Sequence, residues 1–244
     1  MVGEAQLGGR QGGRLWTYLV LNRSRPLGRE ELATMLWDDE PPDAWDSDLS
    51  VLASRLRTGL RPIADLEPGL RVARGAGRYQ LEVPPETFVD HERARAALHE
   101  AEVATRNGDH ATAWIESRIA FEIARRGFLP GDEAPWITGQ RRLLADVAHR
   151  ALELLSSADL ERGRPDDAAV EARQLVELDP LRESAYRILM RALGAKGDPA
   201  EAVRVMEQCR RTLGQLARLV PSPETERVFR EVTAAGGTAA HPRI

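Results

Sequence analysis

DAWDSDLSVLASRLRTGL (43–60), followed by LRVARGAGRYQLEV (70–83), decides the fold. In the first stretch Leu49, Leu52, Leu56 and Leu60 recur at spacings of three, four and four, which sets one apolar stripe along a helix of about 44–60. Asp43 stands where an N-cap is expected, with Asp46 three residues on. The opposite side carries Ser47, Ser50, Ser54, Arg55 and Thr58, flanked by Arg57 and Arg61. The second stretch alternates in hydropathy and turns at Gly75-Ala76-Gly77, the pattern of a β-hairpin.

Toward the N-terminus, RLWTYLVLN (14–22) reads as a short apolar helix, and Asn22 to Leu27 as a turn. REELATML (29–36) repeats the helical period through Leu32, Met35 and Leu36. WDDEPP (37–42) breaks it, because Pro41 and Pro42 cannot continue a helix. Three helices followed by a hairpin is the order of a winged helix-turn-helix, and PPET (84–87) closes it, so residues 1–84 are expected to form one domain.

Toward the C-terminus, the pattern is helical from Phe88 to about Ala234. Three similar helix-opening turns recur: GDHATA (108–113), GRPDDA (163–168) and GDPAEA (197–202). Gly163 and Gly197 are 34 residues apart, the period of a tetratricopeptide (TPR) repeat. Gly108 and Gly163 are 55 apart, and the inserted loop GFLPGDEAPW (127–136) is read as the insertion that lengthens this interval. A glycine ends one helix, and Asp or Pro opens the next. The expected fold is therefore mainly α: a winged helix-turn-helix of three helices plus a β-hairpin, then an all-α, TPR-like helical-repeat domain over 88–234. Residues 235–244 are expected to be a disordered tail.

Composition limits the function classes. The 244 residues carry a net charge of −4, so a nucleic-acid-binding face would have to be local. Lys196 is the single lysine; the basic charge is otherwise arginine, a hint of a GC-rich genome. Cys209 is the single cysteine, which excludes an internal disulfide and fits a reducing cytoplasm. No stretch approaches the roughly 20 apolar residues of a membrane helix, so a cytoplasmic protein without a membrane partner is expected.

The chain resembles the SARP/AfsR-type transcriptional regulators, whose DNA-binding half is OmpR-like and whose second half is the bacterial transcriptional activator domain. The matching stretches are LGGRQGGRLWTYLVLNRSRPLGREELATMLW (7–37), LSVLASRLRTGL (49–60), GRYQLEV (77–83) and FVDHERARAALHEAE (88–102). They continue with FLPGDEAPWITGQRRLL (128–144), ELDPLRESAYRILMRALGAKGDPAEAVRVMEQCRRTL (177–213) and PSPETERVF (221–229). The resemblance implies an activator that binds promoter DNA and contacts RNA polymerase, with a helical domain that regulates or forms a homodimer. It also implies a small antiparallel sheet before the first helix. About ten residues precede that helix here, so a shortened N-terminus lacking most of the sheet is expected.

In a winged helix the third helix enters the major groove and the hairpin tip meets the DNA backbone. Arg55 or Arg57 is the expected phosphate or base contact, flanked by Arg61. Ser50, Ser54 and Thr58 are candidate positioning donors, and Arg74 and Arg78 are candidate phosphate clamps on the wing. The competing reading is a solvated face whose arginines are neutralised by Asp43, Asp46, Asp48, Asp65 and Glu67. Residues 1–83 hold 11 Arg against 12 Asp plus Glu, so generic electrostatics add little affinity. A TPR-like module that binds a protein or ligand, with a degenerate winged helix, therefore stays open beside the activator.

No catalytic constellation is present, and no cofactor or metal is expected. His91 and His99, eight apart, lack metal-motif spacing, and Asp38-Asp39-Glu40 reads as a solvated loop. Cys209 reads as a buried apolar residue. Gly8-Gly9 and Gly12-Gly13 have no preceding strand and no GK[ST], so they form no phosphate loop. The five tryptophans read as core or interdomain anchors, with Trp136 pinning the 127–136 loop onto the helices.

Overall fold

The computed structural model describes residues 7–38, 40–67 and 69–238, and they divide into two compact units. The first contains residues up to Val89 together with Gly131–Gly139; the second contains Asp90–Pro130 and the chain from Gln140 onward.

In the first unit, α1 (Gly9–Leu21), β1 (Leu27–Gly28), α2 (Arg29–Trp37), α3 (Trp45–Ala64), β2 (Arg71–Gly75) and β3 (Arg78–Glu82) follow in order. This is a winged helix. The leucine stripe behaves as its spacing requires: Leu49, Leu52, Leu56 and Leu60 are buried against Leu15, Leu19, Leu32 and Leu36. The hairpin strands pair antiparallel with Gly75 opposite Arg78, which leaves Ala76-Gly77 as a two-residue turn. Both have positive φ, at 48° and 72°, as a type I′ turn demands.

Four local readings need correction. Helix α1 starts at Gly9, five residues before the apolar run, because backbone hydrogen bonding tolerates the glycines once Leu15 and Leu19 anchor the following turns. Asp43 is not the cap of α3; Ala44 occupies that place without a side-chain bond. The helix runs past Leu60 through Pro62 to Ala64, since a proline in the last turn costs only one exposed bond. Leu27–Gly28, assigned to a turn and its edge, forms a short strand whose pairing with β3 gives a three-stranded sheet of order β1-β3-β2.

The second unit is all helical: α4 (Asp90–Arg106), α5 (His110–Ala124), most of α6 (Pro135–Glu161), α7 (Pro165–Leu178), α8 (Glu183–Ala195), α9 (Pro199–Ala217) and α10 (Pro223–Thr238). Successive helices pack as antiparallel-type neighbours, α4 on α5, α7 on α8 and α8 on α9, with α10 closing on α8 and α9. Gly108, Gly163 and Gly197, which open the three recurrent turns, all have left-handed φ between 71° and 78°. Asp109 and Asp198 then cap α5 and α9 by accepting from Thr112 N and Glu201 N, each at 3.0 Å. The core is rich in alanine (Ala94, Ala97, Ala120, Ala151, Ala172), which lets helix backbones approach closely around Phe121, Leu152 and Tyr186. Helix α10 continues to Thr238, so residues 235–238 of the expected tail are helical; residues 239–244 lie outside the described residues.

The segment 131–139 was read with the helical repeats and belongs instead to the first unit. Trp136, expected to pin the 127–136 loop onto the helices, packs within the first unit against its apolar core, its ring edge-on to Tyr18 with centroids 5.4 Å apart. The hydrophobic match with Tyr18 and the charge match of Asp132 with Arg14 fix that choice.

Candidate nucleic-acid interface

Arg29 organises the site from beneath. Standing at the start of α2, it donates to Asp46 Oδ1 and to the Asp46 carbonyl at 2.5 Å each, to Ser50 Oγ at 3.0 Å and to the Tyr79 hydroxyl at 2.9 Å. Hydrogen bonding to Asp46 pushes its guanidinium pKa up, against the opposing effect of burial. The first turn of α3 is thereby tied to both α2 and β3. Ser50 Oγ in turn donates to the Asp46 carbonyl at 3.0 Å. Its hydroxyl serves this internal network and is not a free positioning donor.

Tyr79, 1% exposed, is the hub of the wing. The guanidinium carbons of Arg29, Arg57 and Arg74 each lie 5.7 Å from its ring centroid. Arg57 Nε also donates to the Val72 carbonyl at 3.0 Å. It braces α3 against β2, a structural task that sequence reasoning could not separate from DNA contact. Neither Arg29 nor Tyr79 was singled out from the sequence. Tyr79 carries a faint signal, the inward register it shares with Leu81 on β3, whereas Arg29 meets Tyr79 across 50 residues.

What faces outward is narrower than the sequence set. Ser54, Arg55, Thr58 and Arg61 are exposed on α3, and Arg74 and Arg78 on the wing. Thr58 Oγ1 donates to the Ser54 carbonyl at 3.1 Å, keeping its lone pairs outward. Arg55, Arg61 and Arg78 have no ion pair among the described residues, in contrast to Arg71, which is paired with Glu82 at 2.7 Å. The local carboxylates therefore do not neutralise these three. Asp46 is engaged by Arg29, while Asp48 stays exposed in the first turn of α3. No group of three or more metal-ligating side chains occurs among the described residues.

The model of the bacterial transcriptional activator domain matches residues 89–233. The chain belongs to that family. It is 30% identical over 217 residues to the regulatory protein AfsR of Streptomyces coelicolor, covering 89% of this chain and 21% of AfsR. It is 26% identical over 227 residues to the transcriptional regulatory protein EmbR of Mycobacterium tuberculosis, covering 87% and 56%. With the transcriptional regulator RedD of Streptomyces coelicolor it shares 28% over 207 residues, covering 81% and 58%. The chain thus spans about a fifth of AfsR and just over half of EmbR and RedD. Among solved structures, Mycobacterium tuberculosis EmbR in complex with a low-affinity phosphopeptide superposes with a TM-score of 0.77 at 21% identity, over 94% of this chain and 62% of EmbR. That likeness fixes the architecture of this family member as a winged helix with a helical domain.

Proposed function

We propose that this family member is a DNA-binding transcriptional regulator, acting as an activator of promoters in the cytoplasm. The observation that carries the reading is the outward row of Ser54, Arg55, Thr58 and Arg61 on α3, with Arg55 and Arg61 unpaired among the described residues. Helix α3 enters the major groove with Arg55 and Ser54 toward base edges and phosphates, and Arg61 toward the backbone. Arg78 and Arg74 clamp phosphate from the hairpin. RNA polymerase contact and a homodimer are part of this reading only as what the resemblance to the SARP/AfsR-type regulators implies. Binding to promoter DNA across a salt titration, against scrambled DNA, tests the reading. Selective binding with a negative salt slope supports it. The competing reading, a TPR-like protein- or ligand-binding module with a degenerate winged helix, is favoured by the exposed Asp48 and the net charge of −1 over residues 1–83. It requires no DNA affinity even at low salt, together with a partner of the helical domain.

A further inference from the structure

Within the second unit, two carboxylic groups are buried where no DNA-binding role reaches them. Asp159, near the end of α6, is 1% exposed, and Glu171, on α7, is 5% exposed. Asp159 Oδ2 accepts from the indole Nε1 of Trp114 on α5 at 2.9 Å. Glu171 Oε1 accepts from Arg118 Nη2, also on α5, at 3.4 Å. The remaining oxygens, Asp159 Oδ1 and Glu171 Oε2, have no hydrogen-bond donor among the described residues, and Trp114 and Arg118, which hold the two side chains, stand one turn apart on α5. Two neighbouring acceptors, each out of contact with water, form a costly arrangement when both are ionised.

We propose that Glu171 holds a proton directed at Asp159, and that this proton makes the α5–α6–α7 corner a pH-sensitive device in the helical domain. A single hydrogen turns Glu171 Oε2 into the donor that Asp159 Oδ1 lacks. Both orphaned oxygens are then satisfied by one bond. Losing the proton leaves two buried anions held against each other beside Trp114.

The surrounding charges fit a pair that carries one negative charge. From α5, Arg118 faces Glu171 and is shared with Glu122 at 3.7 Å. From the turn after α6, Arg162 and Arg164 lie 3.6 and 3.7 Å from Asp159 Oδ1, beyond hydrogen-bond distance. On α7, Asp167 adds to the negative field at Glu171 but is paired with Arg164 at 2.6 Å. At the end of α8, Lys196 is spent on Asp166 at 2.7 Å. Arg118, Arg162 and Arg164 also surround the Trp114 ring at 5.7, 4.7 and 5.9 Å. Each cation is thus divided between several partners, and none forms the close bidentate pair that would neutralise a second buried anion. Burial, then the charge of Asp159, pushes the Glu171 carboxyl up to about 8, against the pull of Arg118.

The sign follows from linkage. The folded chain keeps a proton that the unfolded chain has released above the ordinary carboxylate range. Stability from this proton is full in acid, declines as pH rises through the window up to about 8, and stays level above it. Near neutrality both forms are populated, which is where a regulatory device must titrate.

The test is denaturant unfolding of the full chain, followed by helix content, from acid to alkaline pH, for the native protein and Glu171→Gln. The glutamine amide donates to Asp159 and accepts from Arg118 without titrating. Relative to the variant, the native unfolding constant rises by up to about tenfold per pH unit below about pH 8 and then levels off. Parallel curves across that range overturn the proposal. Infrared spectroscopy of the native chain near neutral pH supplies a readout that needs no folded variant: a protonated-carboxyl carbonyl band that fades as pH rises. Absence of that band, or its persistence in folded Glu171→Gln, also overturns the proposal.

Discussion

Arg14 and Asp132 are 118 residues apart in sequence and form a bidentate ion pair, with Nε to Oδ2 at 2.7 Å and Nη2 to Oδ1 at 2.5 Å. Their side chains are 12% and 9% exposed. The third guanidinium nitrogen donates to the Leu36 carbonyl at 3.0 Å, and Asp132 also accepts from Ala134 N at 3.3 Å. This pair, with the Tyr18–Trp136 edge contact, holds segment 131–139 in the winged-helix unit. Removing one partner leaves the other, in a largely desolvated place, with only a more distant charge: Arg10 at 3.5 Å from Asp132, or Asp38 at 3.8 Å from Arg14. Arg14→Ala or Asp132→Ala is expected to lower the stability of this unit by on the order of 2–3 kcal/mol, below the cost at a fully buried pair because some solvent remains. The double variant is expected to lose much less than the sum. Denaturant unfolding of all four chains in a double-mutant cycle checks this, and additive losses would refute the coupling.

The same pair predicts an acid response. Hydrogen bonding from Arg14 holds the Asp132 carboxyl well below its ordinary value, at about 2, with burial opposing and Ala134 N and Arg10 assisting. The folded pKa is depressed, so the stabilisation is present above the unfolded value and is lost as pH falls from about 4 toward 2. The loss amounts to at most about 2 kcal/mol. Asp132→Asn should flatten that part of the stability curve, measured as unfolding midpoints between neutral and strongly acid pH. Identical acid limbs in the two proteins would exclude the assignment.

Ala76 carries the strain of the wing. Its φ of 48° satisfies the type I′ turn but sets a Cβ in the left-handed region. Replacing it with glycine or asparagine is expected to stabilise the first unit by up to about 1 kcal/mol, offset in the glycine case by a looser unfolded chain. Thermal unfolding of Ala76→Asn beside Ala76→Gly reads the effect; a destabilised Asn variant would contradict the turn geometry.

What was legible in the sequence follows range. The stripe Leu49–Leu60 and the alternation of 70–83 are local signals, and they specify α3 and the hairpin because burial of one face is the only stable outcome. The turns at Gly108, Gly163 and Gly197 were equally readable, since left-handed backbone asks for glycine wherever a helix must stop and reverse. Two residues of β1 leave no period to detect, and the glycines of α1 hide a helix start. The site was harder, because solvent-facing and brace arginines look alike in one helix. Arg57 and Ser50 differ from Arg55 and Ser54 only through Val72, Tyr79 and Arg29, which come from other elements.

That division gives the sharpest test of the interface. Arg57 donates to the Val72 carbonyl and stacks over Tyr79, so Arg57→Ala is expected to cost about 1 kcal/mol of fold stability, with any loss of DNA affinity following from a displaced wing. Arg55 is exposed with no ion pair among the described residues, so Arg55→Ala should leave unfolding within about 0.5 kcal/mol of the native protein. In DNA binding the order reverses in kind. Loss of a phosphate contact at Arg55 should weaken binding on every sequence alike and reduce the salt slope by about one; loss of a base contact should weaken the specific site by about 1–3 kcal/mol and leave scrambled DNA unchanged. Paired salt titrations on promoter and scrambled duplexes, run beside denaturation curves, separate these outcomes. If Arg55→Ala binds both duplexes as the native chain does, the outward row of α3 is not the contact face, and the helical domain becomes the place to look for the partner.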